Sequence, residues 1–477
     1  MDPLTWTGTL GPFLNPIFLV ACAALLVTAL AQAVLSAFVT TGGSGNVLSV
    51  ARTPADYAGV ATKGAFYLFL ATALAYLIGG IVVQGTPNKG IIGAISTQLL
   101  PVWIALAVTF ALSITFKKKL GLWGKLMGST IGAIGAGMVL FWIFTGLFAE
   151  IIATHQPLEI ASGMKNKLPG TPLRGAEEGE FQWYLLGGDA LTRDVFSRVV
   201  HGSTWVMVIA PLATMFAFMV GISLGVPAGF FGGVLDTILS FVANLILAFP
   251  VILLFYLLVT PEIVDTGLPI YMAAVLFLFP ILFLTVLFNS KFHTQPAVNY
   301  TILAVVIGGG GWLYLSLLST PGTIWNFLPR GVDLFNLQGN FLIVFVSVVF
   351  VNSPTVFRIV RGLVLDIKTR DYVAAAHTRG EGVWYTMLWE ILPNARGPLI
   401  VDFCLRIGYT TILLGTLGFF GLGLESESPD WGSTINTGRK LIAVYIHPLV
   451  PPALALMSLV LGLNLLADGL REESLKD

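Results

Sequence analysis

Charge is what this sequence lacks most. Of 477 residues only 10% are Asp, Glu, Lys or Arg, where an ordinary soluble domain carries about 25%. Acids and bases number 25 each, so the chain is formally neutral and offers no basic face to a nucleic acid. Cysteine is nearly absent. Cys22 and Cys404 both lie in apolar runs, which argues against a disulfide framework or a metal cluster. The five histidines are dispersed. Residues 1–13 carry no Lys or Arg, and the first apolar run is too long for the core of a secretory signal peptide. A nucleotide-binding P-loop is missing too: near Gly124-Lys125 the earlier glycine is replaced by Lys119, and Leu126 stands where Ser or Thr is required.

Apolar residues are present in excess. They make up 56% of the chain, and the mean hydropathy is +0.86. No water-soluble fold could bury that much apolar surface, so lipid must be the solvent for much of it. A bilayer core about 30 Å thick needs roughly 20 helical residues. Eleven such runs are expected, at 14–38, 65–84, 97–116, 129–153, 204–228, 237–260, 268–289, 300–319, 339–357, 399–423 and 446–468. They are continuously apolar rather than alternating, so helices are preferred to barrel strands. The fold class is therefore all-α and polytopic. Gly221, Gly225 and Gly229 recur every fourth residue and should form a smooth stripe for close helix packing. The Gly308–Gly311 run is expected to permit close packing or a bend.

Basic residues orient the chain. Lys117-Lys118-Lys119 with Lys125 is the densest basic cluster in a short loop and should face the cytoplasm. Alternation then puts the N-terminus outside and the C-terminus in the cytoplasm. Two long extramembrane segments result, 154–203 outside and 358–398 inside. Function is expected in these rather than in the spans.

The inner segment reads Tyr372-Val373-Ala374-Ala375-Ala376-His377-Thr378-Arg379-Gly380, then nine residues, then Glu390-Ile391-Leu392-Pro393-Asn394. Small residues followed by glycine let a short helix lie on the membrane face and be gripped by another protein, and Leu392-Pro393 should stop the local helix. On chemistry alone, a solvated basic loop with one amphipathic helix is the competing reading. The spacing resembles the EAA signature of ABC importer permeases, with Ala374 in place of the Glu and Glu390 in place of Ile or His. The resemblance extends further. Leu186-Gly187-Gly188-Asp189-Ala190-Leu191-Thr192-Arg193-Asp194-Val195-Phe196-Ser197-Arg198 is similar to a segment of dipeptide/oligopeptide/nickel permeases of the C-subunit type. Gly225–Asp236, Ala248-Phe249-Pro250, Gly418–Gly423, Pro429-Asp430-Trp431-Gly432 and Asn464–Arg471 follow in that family's order.

The resemblance implies an importer-permease core over 129–477, with two inserted helices at 268–319, and an extra N-terminal region of about three helices at 1–128. It implies half of a translocation pore for peptides or a similar small solute, in a bacterial inner membrane. A second homologous permease, two cytosolic ATPases carrying ATP and Mg, and an extracytoplasmic binding protein would complete the system. The chain itself would do no chemistry and hold no cofactor or metal. Tyr372, Ala375, Ala376, Gly380, Leu392 and Pro393 would form the ATPase contact, with residues 371–383 as the coupling helix. Asp189, Arg193, Asp194 and Arg198 recur at intervals that a helix would gather on one face. They would lie at the pore's outer mouth or dock the binding protein, or else form an internal ion-pair brace. The alternative function is a secondary transporter driven by an ion gradient, which the scarcity of ionisable groups at mid-membrane disfavours. Gly42-Gly43-Ser44-Gly45 resembles an intramembrane serine-protease signature but reads better as a flexible turn. Asp402 and Arg406, at i,i+4, read as a structural ion pair rather than a pathway marker.

Overall fold

A computed structural model describes residues 2–40, 54–173, 180–318, 339–422 and 428–474. The Gly42–Gly45 turn lies outside the described residues. In chain order the helices are α1 (Gly11–Thr40), α2 (Pro54–Val82), α3 (Thr86–Gln98), α4 (Leu100–Thr115), α5 (Gly121–Leu126), α6 (Thr130–Leu147) and α7 (Ala149–Ile152). Then come α8 (Val195–Phe231), α9 (Gly233–Leu247), α10 (Val251–Val259), α11 (Pro261–Val264), α12 (Leu268–Leu276), α13 (Leu278–Phe292), α14 (Pro296–Leu318) and α15 (Gly339–Ile367). The last third holds α16 (Asp371–Thr378), α17 (Val383–Tyr385), a π-helical turn Thr386–Ile391, α18 (Leu392–Asn394), α19 (Arg396–Phe420), α20 (Trp431–Arg439) and α21 (Val450–Ser474). Two short strands, β1 (Thr171–Pro172) and β2 (Trp183–Tyr184), pair antiparallel.

Each of the eleven apolar runs corresponds to a candidate span. Among the described residues nine are unbroken spans, one of them made by α12 and α13 together, and two are bent pairs, α3–α4 by 51° and α9–α10 by 83°. Both bends sit beside a proline. Pro101 cannot donate a hydrogen bond back across the α3–α4 junction. Pro250 caps α10 with extended backbone and biases Phe249 away from helix. The protein is thus an all-α, multi-pass membrane protein.

The chain divides into two compact units. One comprises Met1–Ile104 with Glu150–Ser197, the other Ala105–Ala149 with Arg198–Asp477. In the first, α1 and α2 pair. Their faces meet at Phe18 and Tyr76, whose rings lie edge to face at 6.0 Å, and the Tyr76 hydroxyl bonds Asn15. Most of the α1 surface stays uncovered: only 6% of its most apolar window is buried, as suits a helix solvated by lipid. The 154–194 segment joins this unit, with Leu4 donating its N–H to the Gly170 carbonyl at 2.9 Å.

In the second unit α15 is the centre, with 78% of its apolar window buried. Its Val- and Phe-rich face packs with Ile209, Ala213 and Ala217 of α8, Phe255 of α10 and Leu417 of α19. Between helices already in lipid the gain is van der Waals contact and polar pairing rather than escape from water. The glycine stripe serves that contact. A Cβ on Gly221 would stand 2.5 Å from Val356, and one on Gly225 or Gly229 would stand 2.9 Å from the carbonyl oxygen of Phe357 or Arg361. No side chain larger than hydrogen fits there. Asn352 of α15 and Thr214 of α8 both reach Thr410 of α19, at 3.2 and 3.3 Å. The Gly308–Gly311 run makes one close contact and no bend. It stays within the continuous α14, and only Gly310 approaches a neighbour, Ile281.

Candidate functional site

The connection between α15 and α19 is built from a local alternation of faces. In α16 Val373 and Ala376 point inward, at 1% and 0% exposure, while Tyr372, Ala374, Ala375 and His377 are exposed. The inward side is continued by Met387 and Ile391 of the π turn, which share one apolar cluster with Val226 of α8, Val364 of α15 and Leu399 of α19. The short helix is thus pinned on one side and open on the other. Ala376, expected among the contact residues, is spent on this internal packing.

Gly380 closes α16 with φ +78°, and an added Cβ there would meet nothing within 4 Å. Its requirement is therefore the left-handed conformation of a helix cap, not a tight groove within this chain. Leu392-Pro393 also departs from expectation. The chain does not stop there: Pro393 lies in the first turn of α18, where no backbone N–H is needed, and α19 follows at once. The Asn394 side chain reaches the Glu390 carbonyl at 2.6 Å. Glu390, the departure from the signature, accepts from Arg379 at 2.5 Å. That pair ties the end of α16 to the π turn.

The 186–198 motif does not form the helix anticipated over its whole length. α8 begins only at Val195, and Thr192 takes φ +67°. Asp189 and Arg193 form an ion pair at 2.8 Å with both side chains almost fully buried. The Asp189 carboxylate also accepts from the Leu191 and Arg193 N–H groups at 2.7 and 2.9 Å. Asp194 caps α8, accepting from the Ser197 N–H at 3.0 Å and the Ser197 hydroxyl at 2.7 Å. Negative charge at a helix N-terminus is favourable there. Arg198, in the first turn of α8, bonds the Ser428 carbonyl at 2.9 Å and the Thr434 hydroxyl at 3.0 Å.

His155 was missed in the sequence, because nothing local marks it. Its Nδ1 lies 3.6 Å from Asp194 and 3.1 Å from the Thr154 hydroxyl, and its Nε2 lies 2.9 Å from the Phe181 carbonyl. Burial disfavours the charged ring, but the hydrogen bond and charge of Asp194, with Phe181 and Glu159, outweigh it and raise the pKa above its ordinary value. Asp430, in the Pro429–Gly432 motif, caps α20 by accepting from the Ser433 N–H at 2.9 Å. Burial raises its pKa despite the opposing effects of Ser433, Arg198 and Gly432. Asp402 and Arg406 do form their pair, at 2.9 Å along α19. A second pair, unforeseen, joins Asp236 of α9 to Arg361 of α15.

These features meet a known family. The family model described as "Binding-protein-dependent transport system inner membrane component" matches residues 221–472, more than half of the chain. A dipeptide transport system permease protein of Haemophilus influenzae is 25% identical over 345 residues, 72% of this chain and 89% of the relative. A glutathione transport system permease protein of Pectobacterium atrosepticum is 27% identical over 295 residues, 62% of this chain and 73% of the relative. A glutathione transport system permease protein of Escherichia coli O1:K1 / APEC is 36% identical over 129 residues, 27% of this chain but 43% of the relative, so this chain is the longer of the two. With the matched region running from α8 through α21, the chain belongs to the family of binding-protein-dependent transport system inner membrane components.

Proposed function

We propose that the chain forms half of the translocation pore of an ATP-driven importer for peptides or a similar small solute. A second permease would supply the other half. Two cytosolic ATPases, holding ATP and Mg, would drive it, and an extracytoplasmic binding protein would deliver the cargo. The N-terminus would lie outside and the C-terminus in the cytoplasm, a reading that rests on the Lys117–Lys119 cluster.

The single observation that carries the reading is the two-faced α16. Val373 and Ala376 anchor it to the bundle, while Tyr372 and Ala375 stand exposed beside the Gly380 cap. A short helix pinned from behind and free in front is suited to transmit a push. ATPase closure would move α16, and its apolar anchor would carry the motion into α8, α15 and α19, the two-state element that changes access to the pore. Support for the peptide class comes from the relatives' names, which specify dipeptide and glutathione transport. The buried Asp189–Arg193 pair and the Asp194 cap would act as an internal brace, since their polar atoms are already engaged within the chain.

Co-purification tests the assignment. The full chain, tagged and extracted under mild conditions from its native membrane, should bring down a second permease and ATPase subunits. Recovery of the chain alone, with transport that follows an ion gradient, would instead establish a secondary transporter.

A further inference from the structure

The helices α12–α14 had no functional reading in the sequence, yet α13 ends against the connection that bears α16. The Trp389 indole N–H donates to the Ser290 hydroxyl at 3.1 Å, which in turn donates to the Leu287 carbonyl at 2.8 Å. Lys291 lies over the Trp389 ring, 4.4 Å from its centroid. Two consecutive residues of α13 thus hold one indole by its edge and its face, a geometry in which hydrogen bonding and cation–π attraction reinforce each other. Trp384 of α17 and Leu388 of the π turn are four residues apart, a spacing that puts both on one side of a helix. With Phe283 and Val286 of α13 and Ser223 of α8 they line a cavity of about 160 Å³. Among the described residues the Ser223 hydroxyl finds no hydrogen-bond partner.

The neighbouring residue pulls the other way. Glu390 is bonded to Arg379 at the end of α16. Trp389 and Glu390 therefore link α16 to α13 in two steps, by contacts independent of the apolar anchor on α15 and α19. We propose that Ser290 and Lys291 of α13 are positioning residues for the ATPase-docking connection, holding Trp389 so that α16 is presented in a fixed pose. The cavity beside them leaves room for the connection to shift when α16 is pushed. This inference rests on the docking role proposed above for α16.

The test uses the full-length permease in lipid nanodiscs, with and without the co-purified ATPase subunits, and two readouts. Backbone hydrogen exchange over 383–391 reports the anchor itself, and permease-dependent ATP hydrolysis reports positioning. In the Ser290→Ala/Lys291→Met double variant, exchange over 383–391 should rise about tenfold, as expected when a local anchor is lost. Permease-dependent hydrolysis should fall roughly threefold or more. Lys291→Arg, which preserves the cation, should keep both near wild type, a rescue that a packing role alone would not require. Unchanged exchange in the double variant would overturn the anchor. Faster exchange with unchanged hydrolysis would overturn the positioning role. If the wild-type chain has no effect on any ATPase, the docking reading falls, and with it the positioning role, while the exchange readout still reports whether α13 holds the connection.

Discussion

At the scale of single residues, Gly380 and His155 are governed by different physics. Gly380 has open space around it but a φ of +78°, a conformation that costs an L residue about 1–2 kcal/mol unless it is Asn or Asp. Gly380→Asn should therefore leave ATPase association intact. Gly380→Val should fray the end of α16, seen as faster hydrogen exchange over 374–380 and weakened association. The spacing of the motif makes this glycine conspicuous, but its helix-cap conformation within this chain depends on backbone angles that no residue pattern displays. His155 is a case of charge. Because its pKa is raised in the folded state, its contribution is fully present below the unfolded value near about 6.5 and is lost as pH rises through the higher folded value. Each unit of elevation is worth about 1.4 kcal/mol. Protease protection of 154–197 should accordingly weaken on the alkaline side of that transition, and His155→Gln should remove the pH dependence. A pH-independent protection pattern in the native chain would contradict this account.

At the scale of elements, two glycine patterns in one sequence have opposite fates. The Gly221–Gly225–Gly229 stripe meets backbone and β-branched side chains of α15, where a Cβ must push two helices apart. Gly308 and Gly309 of α14 meet nothing within 4 Å. Gly225→Leu should destabilise the bundle by several kcal/mol, since overpacking a tight site costs about 1–3 kcal/mol or more. Gly308→Ala should be neutral or stabilising by up to about 1 kcal/mol from helix propensity. Thermal unfolding of the purified variants in detergent checks both. The four-residue period singled out the first pattern, because small residues on one helix face imply a close neighbour. The second was not legible, because a consecutive run presents all faces and specifies none. The spans themselves were readable from apolar length alone, a local property. Their bends were not, although Pro101 and Pro250 sit beside them. A proline within a span can be tolerated where neighbouring groups satisfy the freed backbone, and only the tertiary structure decides whether the helix bends.

At the scale of the whole molecule, the family could be read from ordered motifs, whereas the direction in which each motif side chain points could not. For Asp189 and Arg193 the sequence leaves open an outer-mouth face or an internal ion-pair brace, and the fold buries both side chains almost fully in one ion pair. Ala375 and Ala376 are equivalent as letters, yet one is exposed and the other is buried at 0%. That last difference gives the most direct test of the claim that α16 is where an ATPase pushes. A photo-crosslinking amino acid placed at 375, and separately at 376, in the full chain within its native membrane would report what touches each position. The account predicts a crosslink to an ATPase subunit from position 375 and none from 376, where the probe should capture only the chain itself. Equal capture from both positions, or capture of no ATPase from 375 while the complex is intact, would contradict it.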